Sequence, residues 1–318
     1  MTKLQWQSFG VKPNELRIDR TLICGQAFRW KVLADNEFAG VIGNALVSLK
    51  QTTDDVLFYF HDQVPIEEAR SILADYFQTS TSLSTLYTQW MKDSNFAAKV
   101  SQMDLTGLRV MRQDPIENTF AFICSSNNNI SRISGMVDSL CSEYGTFLGS
   151  LSDASNDNVL RFYSFPEIAV LAQDGVEQRL RELGFGYRAK YIAETARILQ
   201  DKGGGAWLDT LRHVPYELAK KELLELSGVG PKVADCICLM SLDKAGAVPV
   251  DTHVWQIAKR DYGIVTKNKS LTEASYNKIG NVFRDVFGDY AGWAHTILFC
   301  ADLSKFKKTS PAKPKPER

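Results

Sequence analysis

The sequence predicts an α+β fold, an antiparallel sheet followed by a mostly helical body. Two observations predict it. Between residues 10 and 62 the apolar residues fall in short aromatic and β-branched runs broken by turn dipeptides. From Pro65 onward they recur at helical spacing instead.

The expected strands are Phe28–Val32, Glu37–Ile42, Ala45–Leu49 and Val56–Phe60, with turns at Asp35-Asn36 and Gly43-Asn44. The segment PIEEARSILADYF opens the helical part, its Ile66, Ala69, Ile72, Leu73 and Tyr76 falling on one stripe. Further helices are expected around Glu117–Cys124, Ile130–Tyr144, Glu273–Phe287 and Tyr290–Ser304. Three regions follow: a β domain with flanking helices over 1–105, a helical core over 106–304, and a tail over 305–318. The tail is proline-rich and lopsidedly basic, a composition that predicts disorder.

The helical core is organised around Leu223 to His253. It reads as a helix-hairpin-helix over about 217–242, then a loop and an acidic residue opening a third helix. The hairpin is Ser227-Gly228-Val229-Gly230-Pro231. Its two glycines are expected to supply backbone conformations closed to other residues and to leave the amides bare for a phosphate. Pro231 suits the first helical turn, so free N–H groups and a positive dipole face outward.

Lys232 stands at that N-terminus, with Cys236 and Met240 along the same helix face. Asp251 follows Val248-Pro249-Val250 as an N-cap. Taken singly, such a lysine is a solvated charge and such an aspartate only a cap. Together, with the hairpin between helices, they suggest convergence on one pocket. A lysine attacks only when neutral, and a helix N-terminus with partial burial disfavours the ammonium form. A carboxylate can stabilise a cationic sugar carbon as a base departs, so the pair suits glycosidic cleavage through a Schiff base.

Composition sets looser bounds. The chain has 318 residues, 44% hydrophobic and 23% charged, as in ordinary globular proteins. No apolar run approaches a membrane span, and the start does not read as a signal peptide. Six dispersed cysteines read as reduced core thiols of an intracellular protein. Thirty-seven basic and thirty-seven acidic residues give no net charge, so any grip on nucleic acid must come from a local positive surface. Cys236-Ile237-Cys238 is too tight for a zinc pair and lacks partner ligands.

The stretch LSGVGPKVADCICLM…VPVDTHVW resembles the helix-hairpin-helix DNA glycosylases, specifically the eukaryotic-type 8-oxoguanine DNA glycosylase/AP lyases. The likeness runs from about Leu16 to Leu303. It includes Gly25-Gln26-Ala27-Phe28-Arg29-Trp30, Asp114-Pro115-Ile116-Glu117, Ser125-Ser126-Asn127-Asn128-Asn129-Ile130, Gly186-Tyr187-Arg188-Ala189 and Tyr290-Ala291-Gly292-Trp293-Ala294. The resemblance implies a TBP-like sheet before the glycosylase core, and excision of 8-oxoguanine opposite cytosine from duplex DNA by base flipping. Lys232 would be the nucleophile and Asp251 the stabilising carboxylate.

By the same resemblance, the Gly25 carbonyl accepts the N7–H that 8-oxoguanine has and guanine lacks. Cys236, Met240 and Phe299 line the lesion site. Asn127, Arg132, Tyr187 and Arg188 fill the vacated stack and contact the orphan cytosine. His253, Gly228 and Gly230 meet phosphates. The carbonyls of Leu224, Leu226 and Val229 would hold a structural cation. No cofactor is expected for the chemistry. Only Cys300 follows Asp251, so the iron–sulfur cluster of some relatives is excluded. Partners would be double-stranded DNA carrying oxidised guanine, with no membrane and a monomeric chain, acting in the nucleus, with mitochondrial targeting left open.

One position departs. His295 stands where the family usually has glutamine, and its single donor and acceptor reach differently along a base edge. It is the only support for an alternative, a glycosylase of another damaged purine. A non-catalytic helix-hairpin-helix binding module is the other alternative, one that would not need Lys232 and Asp251 together.

Overall fold

The computed structural model describes residues 5–153, 158–264 and 270–303. The expected basic tail at 305–318 lies outside the described residues. Five strands form one antiparallel sheet: β1 (Gln7–Ser8), β2 (Lys31–Ala34), β3 (Glu37–Ile42), β4 (Ala45–Gln51) and β5 (Val56–Phe60), in the order β1-β5-β4-β3-β2. Asn36 and Gly43, both in the left-handed region, turn the chain between β2, β3 and β4. Pairs such as Gly40 with Val47 and Leu49 with Phe58 set the register.

Successive residues point to opposite faces, and both faces are covered. Phe38, Val47, Leu49 and Phe58 pack against Ala69, Leu73 and Tyr76 of the Ile66–Tyr76 helix. Ala39, Val41 and Leu46 face the other way, onto Phe162. Phe162 belongs to a second, two-stranded sheet of β6 (Phe147–Ser152) and β7 (Val159–Tyr163). The sequence pattern gave helices throughout this region, so the hairpin corrects that expectation. Its strands are mostly half-exposed and only Phe162 is fully buried, which leaves little alternation to read.

The first predicted strand also starts late. Phe28 packs edge-on against Phe122 with ring centres 5.5 Å apart, which draws residues 28–30 off the ladder and into the helical body. Pairing begins at Lys31.

The helical body encloses one large core to which Phe120, Ile192, Ile237 and Leu298 all belong. The helices nearest the site are Pro115–Ile123, Ile130–Tyr144, Pro231–Ser241, Thr252–Tyr262 and Ala291–Asp302. Arg109, wholly buried, fastens this body to the N-terminal part. Its guanidinium donates to the carbonyls of Phe77 (2.8 Å), Gln78 (2.7 Å), Thr81 and Glu15 (2.8 Å), and lies 5.5 Å from the Trp293 ring centre. A buried cation is tolerated only when satisfied this fully.

Candidate active site

Two glycines shape the approach to the site, in different ways. Gly228 has φ +76°, and a Cβ there would lie 2.6 Å from the Tyr191 ring, so only glycine fits. Gly230 has φ −92° and ψ −179°, extended backbone open to any residue. That corrects the expectation of two special conformations. A Cβ on Gly230 would meet open space, which leaves the front of the Pro231–Ser241 helix clear for a phosphate.

Lys232, in the first turn of that helix, is half-buried. Its Nζ donates to Ser125 Oγ at 3.2 Å and stands 4.9 Å from the Phe122 ring centre. Asp251 caps the Thr252–Tyr262 helix, its Oδ1 accepting from the Val254 amide at 2.9 Å. Lys232 and Asp251 both line a narrow pocket shared with Gly25, Cys236, Met240, His295 and Phe299. Both also line the wider groove outside it, along with Asn127, Gly230 and His253. The pocket thus opens into the groove past the amine and the carboxylate.

Gly25 has φ +91°, and a Cβ there would lie 2.7 Å from Ile130 Cδ1. The turn is fixed by two buried polar side chains. Gln26 is buried; its amide donates to the Arg109 carbonyl (2.8 Å) and accepts from the Met111 amide (2.9 Å). Gln113 donates to the Gln26 carbonyl (2.7 Å), and its own amide donates to the Met240 carbonyl (2.7 Å). A continuous polar chain therefore joins the Gly25 turn to the helix bearing Lys232.

Electrostatics inside the pocket follow from burial. The Cys236 thiol is pushed up to about 11 by burial, against the opposing pull of Lys232, so it stays neutral. His295 is 5% exposed, and burial drives its imidazole well below the ordinary range while Asp251 opposes the shift. Neither ring nitrogen makes a hydrogen bond of good geometry, although the backbone at Gly292 and Pro249 lies close enough to favour the protonated ring. The ring forms one wall of the pocket, with both nitrogens enclosed.

On the groove wall, Asn127 is exposed with φ +48°; Arg132 is exposed in the first turn of the Ile130–Tyr144 helix. Tyr187, 47% exposed, donates its hydroxyl to the Ser126 carbonyl at 3.0 Å. Arg188 differs from its neighbours. It is buried, donates to the Ser126 carbonyl and to that of Asn127 (3.2 Å), and lies 4.6 Å from the Tyr187 ring centre. In this arrangement Arg188 holds the Ser125–Asn129 turn from behind. His253 is exposed and meets Phe299 edge-on at 6.1 Å.

Behind the pocket lies a cluster that the sequence did not signal. Asp235, 1% exposed, accepts from Tyr216 (2.6 Å), Lys220 (2.9 Å) and Tyr276. Its carboxyl is raised by burial, an effect that Lys220 opposes. Asp235 and Lys220 come from the two helices of the hairpin motif, but Tyr276 is 41 residues further along the chain. No spacing rule could have linked it.

Comparison with known proteins agrees with this architecture. A family model described as the 8-oxoguanine DNA glycosylase N-terminal domain matches residues 8–119. The model of the HhH-GPD superfamily of base excision DNA repair proteins matches residues 120–281. An N-glycosylase/DNA lyase of Arabidopsis thaliana is 40% identical, over 94% of this chain and 80% of its own. One of Saccharomyces cerevisiae is 35% identical, over 92% and 85%. The solved structure of the Clostridium acetobutylicum 8-oxoguanine glycosylase/lyase, in complex with double-stranded DNA containing cytosine opposite 8-oxoguanine, superposes with a TM-score of 0.77 at 27% identity, covering 94% of this chain and 98% of that one. With a family match on either side of residue 120 and relatives alike along nearly its whole length, the chain belongs to the HhH-GPD superfamily of base excision DNA repair proteins.

Proposed function

We propose that this protein is a bifunctional DNA glycosylase/AP lyase that removes 8-oxoguanine opposite cytosine from duplex DNA. The observation that carries the reading is that Lys232 and Asp251 line one pocket, with Gly25 and His295 on its walls. The extruded nucleotide would enter from the groove between the Ser125–Asn129 turn and His253. Gly25 would offer its carbonyl to the N7–H of the lesion, an acceptor that guanine's own N7 cannot satisfy. His295 would meet the base edge, and Phe299 and Cys236 its faces. Asn127, Arg132 and Tyr187 would occupy the gap and read the orphan cytosine, with Arg188 supporting the Ser125–Asn129 turn. Gly228, Gly230 and His253 would serve the phosphates.

In the chemical step the Lys232 amine leaves Ser125 Oγ and attacks C1′, and the glycosidic bond breaks with its electrons going to the base. Asp251 stabilises the positive charge that builds on the sugar. One amine proton passes to the ring oxygen as the C1′–O4′ bond breaks, leaving a protonated Schiff base, and the departed base takes a proton from water. Loss of a C2′ proton then expels the 3′ phosphate by elimination. No cofactor is needed for any of this.

The hairpin could also hold a hard cation through backbone oxygens. Among the described residues, no hydrogen bond is made to the Leu224 or Val229 carbonyl, while that of Leu226 accepts one from the Val229 amide at 3.2 Å and keeps a lone pair. Those residues fit a cation that would bridge to phosphate without entering the reaction. We place the action on nuclear DNA, in keeping with the eukaryotic relatives, with the protein working as a monomer.

Borohydride trapping on an 8-oxoguanine:cytosine duplex tests the reading. The wild type should form a covalent complex. Lys232→Gln should form none and still bind the duplex; a variant that traps normally would remove Lys232 from the mechanism.

A further inference from the structure

We infer that Asp235 and Tyr276 form a positioning pair that sets the distance between the Lys232 amine and the Asp251 carboxylate, an inference resting on the roles proposed for those two residues. Asp235 lies one turn beyond Lys232 on the same helix and is 1% exposed. Tyr276 belongs to the Glu273–Phe287 helix and is 7% exposed. Its hydroxyl carries one proton, and the carboxylate of Asp235 takes it. The same oxygen accepts from the Val250 amide at 3.3 Å, one residue before Asp251. It also lies 3.2 Å from the Pro231 carbonyl, one residue before Lys232.

One hydroxyl therefore touches the backbone beside both reacting side chains. The covalent path between Lys232 and Asp251 runs through 18 intervening residues, including the Asp243-to-Ala247 turn, and does not itself fix their separation. The hydrogen-bonded path, from the Lys232 helix through Asp235 and Tyr276 to Val250, is short and buried. Lys220 and Tyr216 also donate to Asp235. Tyr216 is the natural control. It donates to the same carboxylate at 2.6 Å but has no hydrogen bond to the Val248–Val250 segment.

The test is single-turnover excision on 8-oxoguanine:cytosine DNA, with duplex affinity measured separately and thermal unfolding recorded for each variant. Tyr276→Phe should excise at least about tenfold more slowly, since small misplacement of reacting groups is costly. Its duplex affinity should stay within about twofold of the wild type, a split that marks loss in the chemical step. Tyr216→Phe should keep its rate within about twofold despite a similar loss of thermal stability. A wild-type rate for Tyr276→Phe would overturn the inference, as would equal slowing of both tyrosine variants or slowing matched by lost binding. Should Tyr276→Phe not fold, Asp235→Asn takes its place with the same expected rate loss, and a wild-type rate there overturns the inference. Failure of the wild type to excise, or normal trapping by Lys232→Gln, would instead sink the underlying assignment and is read in the same assay.

Discussion

Burial holds the His295 imidazole neutral at pH values where an exposed histidine would carry a proton. The consequence for stability has a definite sign. His295 titrates at about 4 in the folded protein, against an ordinary value near 6.5. Between those values the unfolded chain binds the proton and the folded one does not, so stability falls as pH drops from 6.5 to 4. The loss attributable to this residue is on the order of 3 kcal/mol at the lower end, and none above about pH 7. Denaturant midpoints measured across pH 4 to 8 should show this slope in the wild type and a clearly shallower one in His295→Gln. Identical pH profiles for the two proteins would assign the titration elsewhere.

At the scale of elements, the hairpin motif carries the strictest local requirement. Gly228 combines a left-handed backbone with a Cβ position 2.6 Å from the Tyr191 side chain. Gly228→Ala should cost at least about 1–3 kcal/mol, seen as a fall in melting temperature. Gly230→Ala, extended and facing open space, should melt close to the wild type while weakening DNA binding through crowding at the helix front. Equal melting losses for the two would refute this division of roles. The motif was legible because its signals are local: glycine and proline at a turn, apolar residues at helical spacing on either side, and an aspartate opening the next helix. Lys232, Cys236 and Met240 share a face by helical geometry, and the pocket receives all three. What stayed hidden depends on contacts distant in the chain. Ser125 under the Lys232 amine, the Gln26 and Gln113 chain behind Gly25, and Tyr276 against Asp235 are each joined across tens of residues. β6 and β7 were missed for the same reason, since the one side chain they bury deeply, Phe162, packs on the outer face of β3 and β4.

Across the whole molecule, the pocket is assembled from two parts that must keep their relative placement. Gly25 comes from the N-terminal part, while Lys232, Asp251 and His295 come from the helical body. Part of that alignment rests on Arg29, at the lead-in to β2, which is 5% exposed. It donates to Glu117 Oε2 on the Pro115–Ile123 helix at 2.5 Å and to the Tyr163 carbonyl at the end of β7. Sheet, body and second sheet thus meet at one guanidinium. Removing a single member of a buried pair leaves an uncompensated charge, at a typical cost of about 3–5 kcal/mol. Glu117→Leu and Arg29→Met should each destabilise by that order. The double variant should recover much of the loss, because an apolar pair of similar size strands no charge, apart from the Tyr163 carbonyl left without its donor. Stability alone does not report alignment, so lesion excision is the sharper readout. If the pair orients Gly25 against the body, the double variant will fold yet discriminate 8-oxoguanine from guanine less well than the wild type. Full stability with unchanged discrimination would mean that Arg109 and the Gln26–Gln113 chain hold the two parts in place without it.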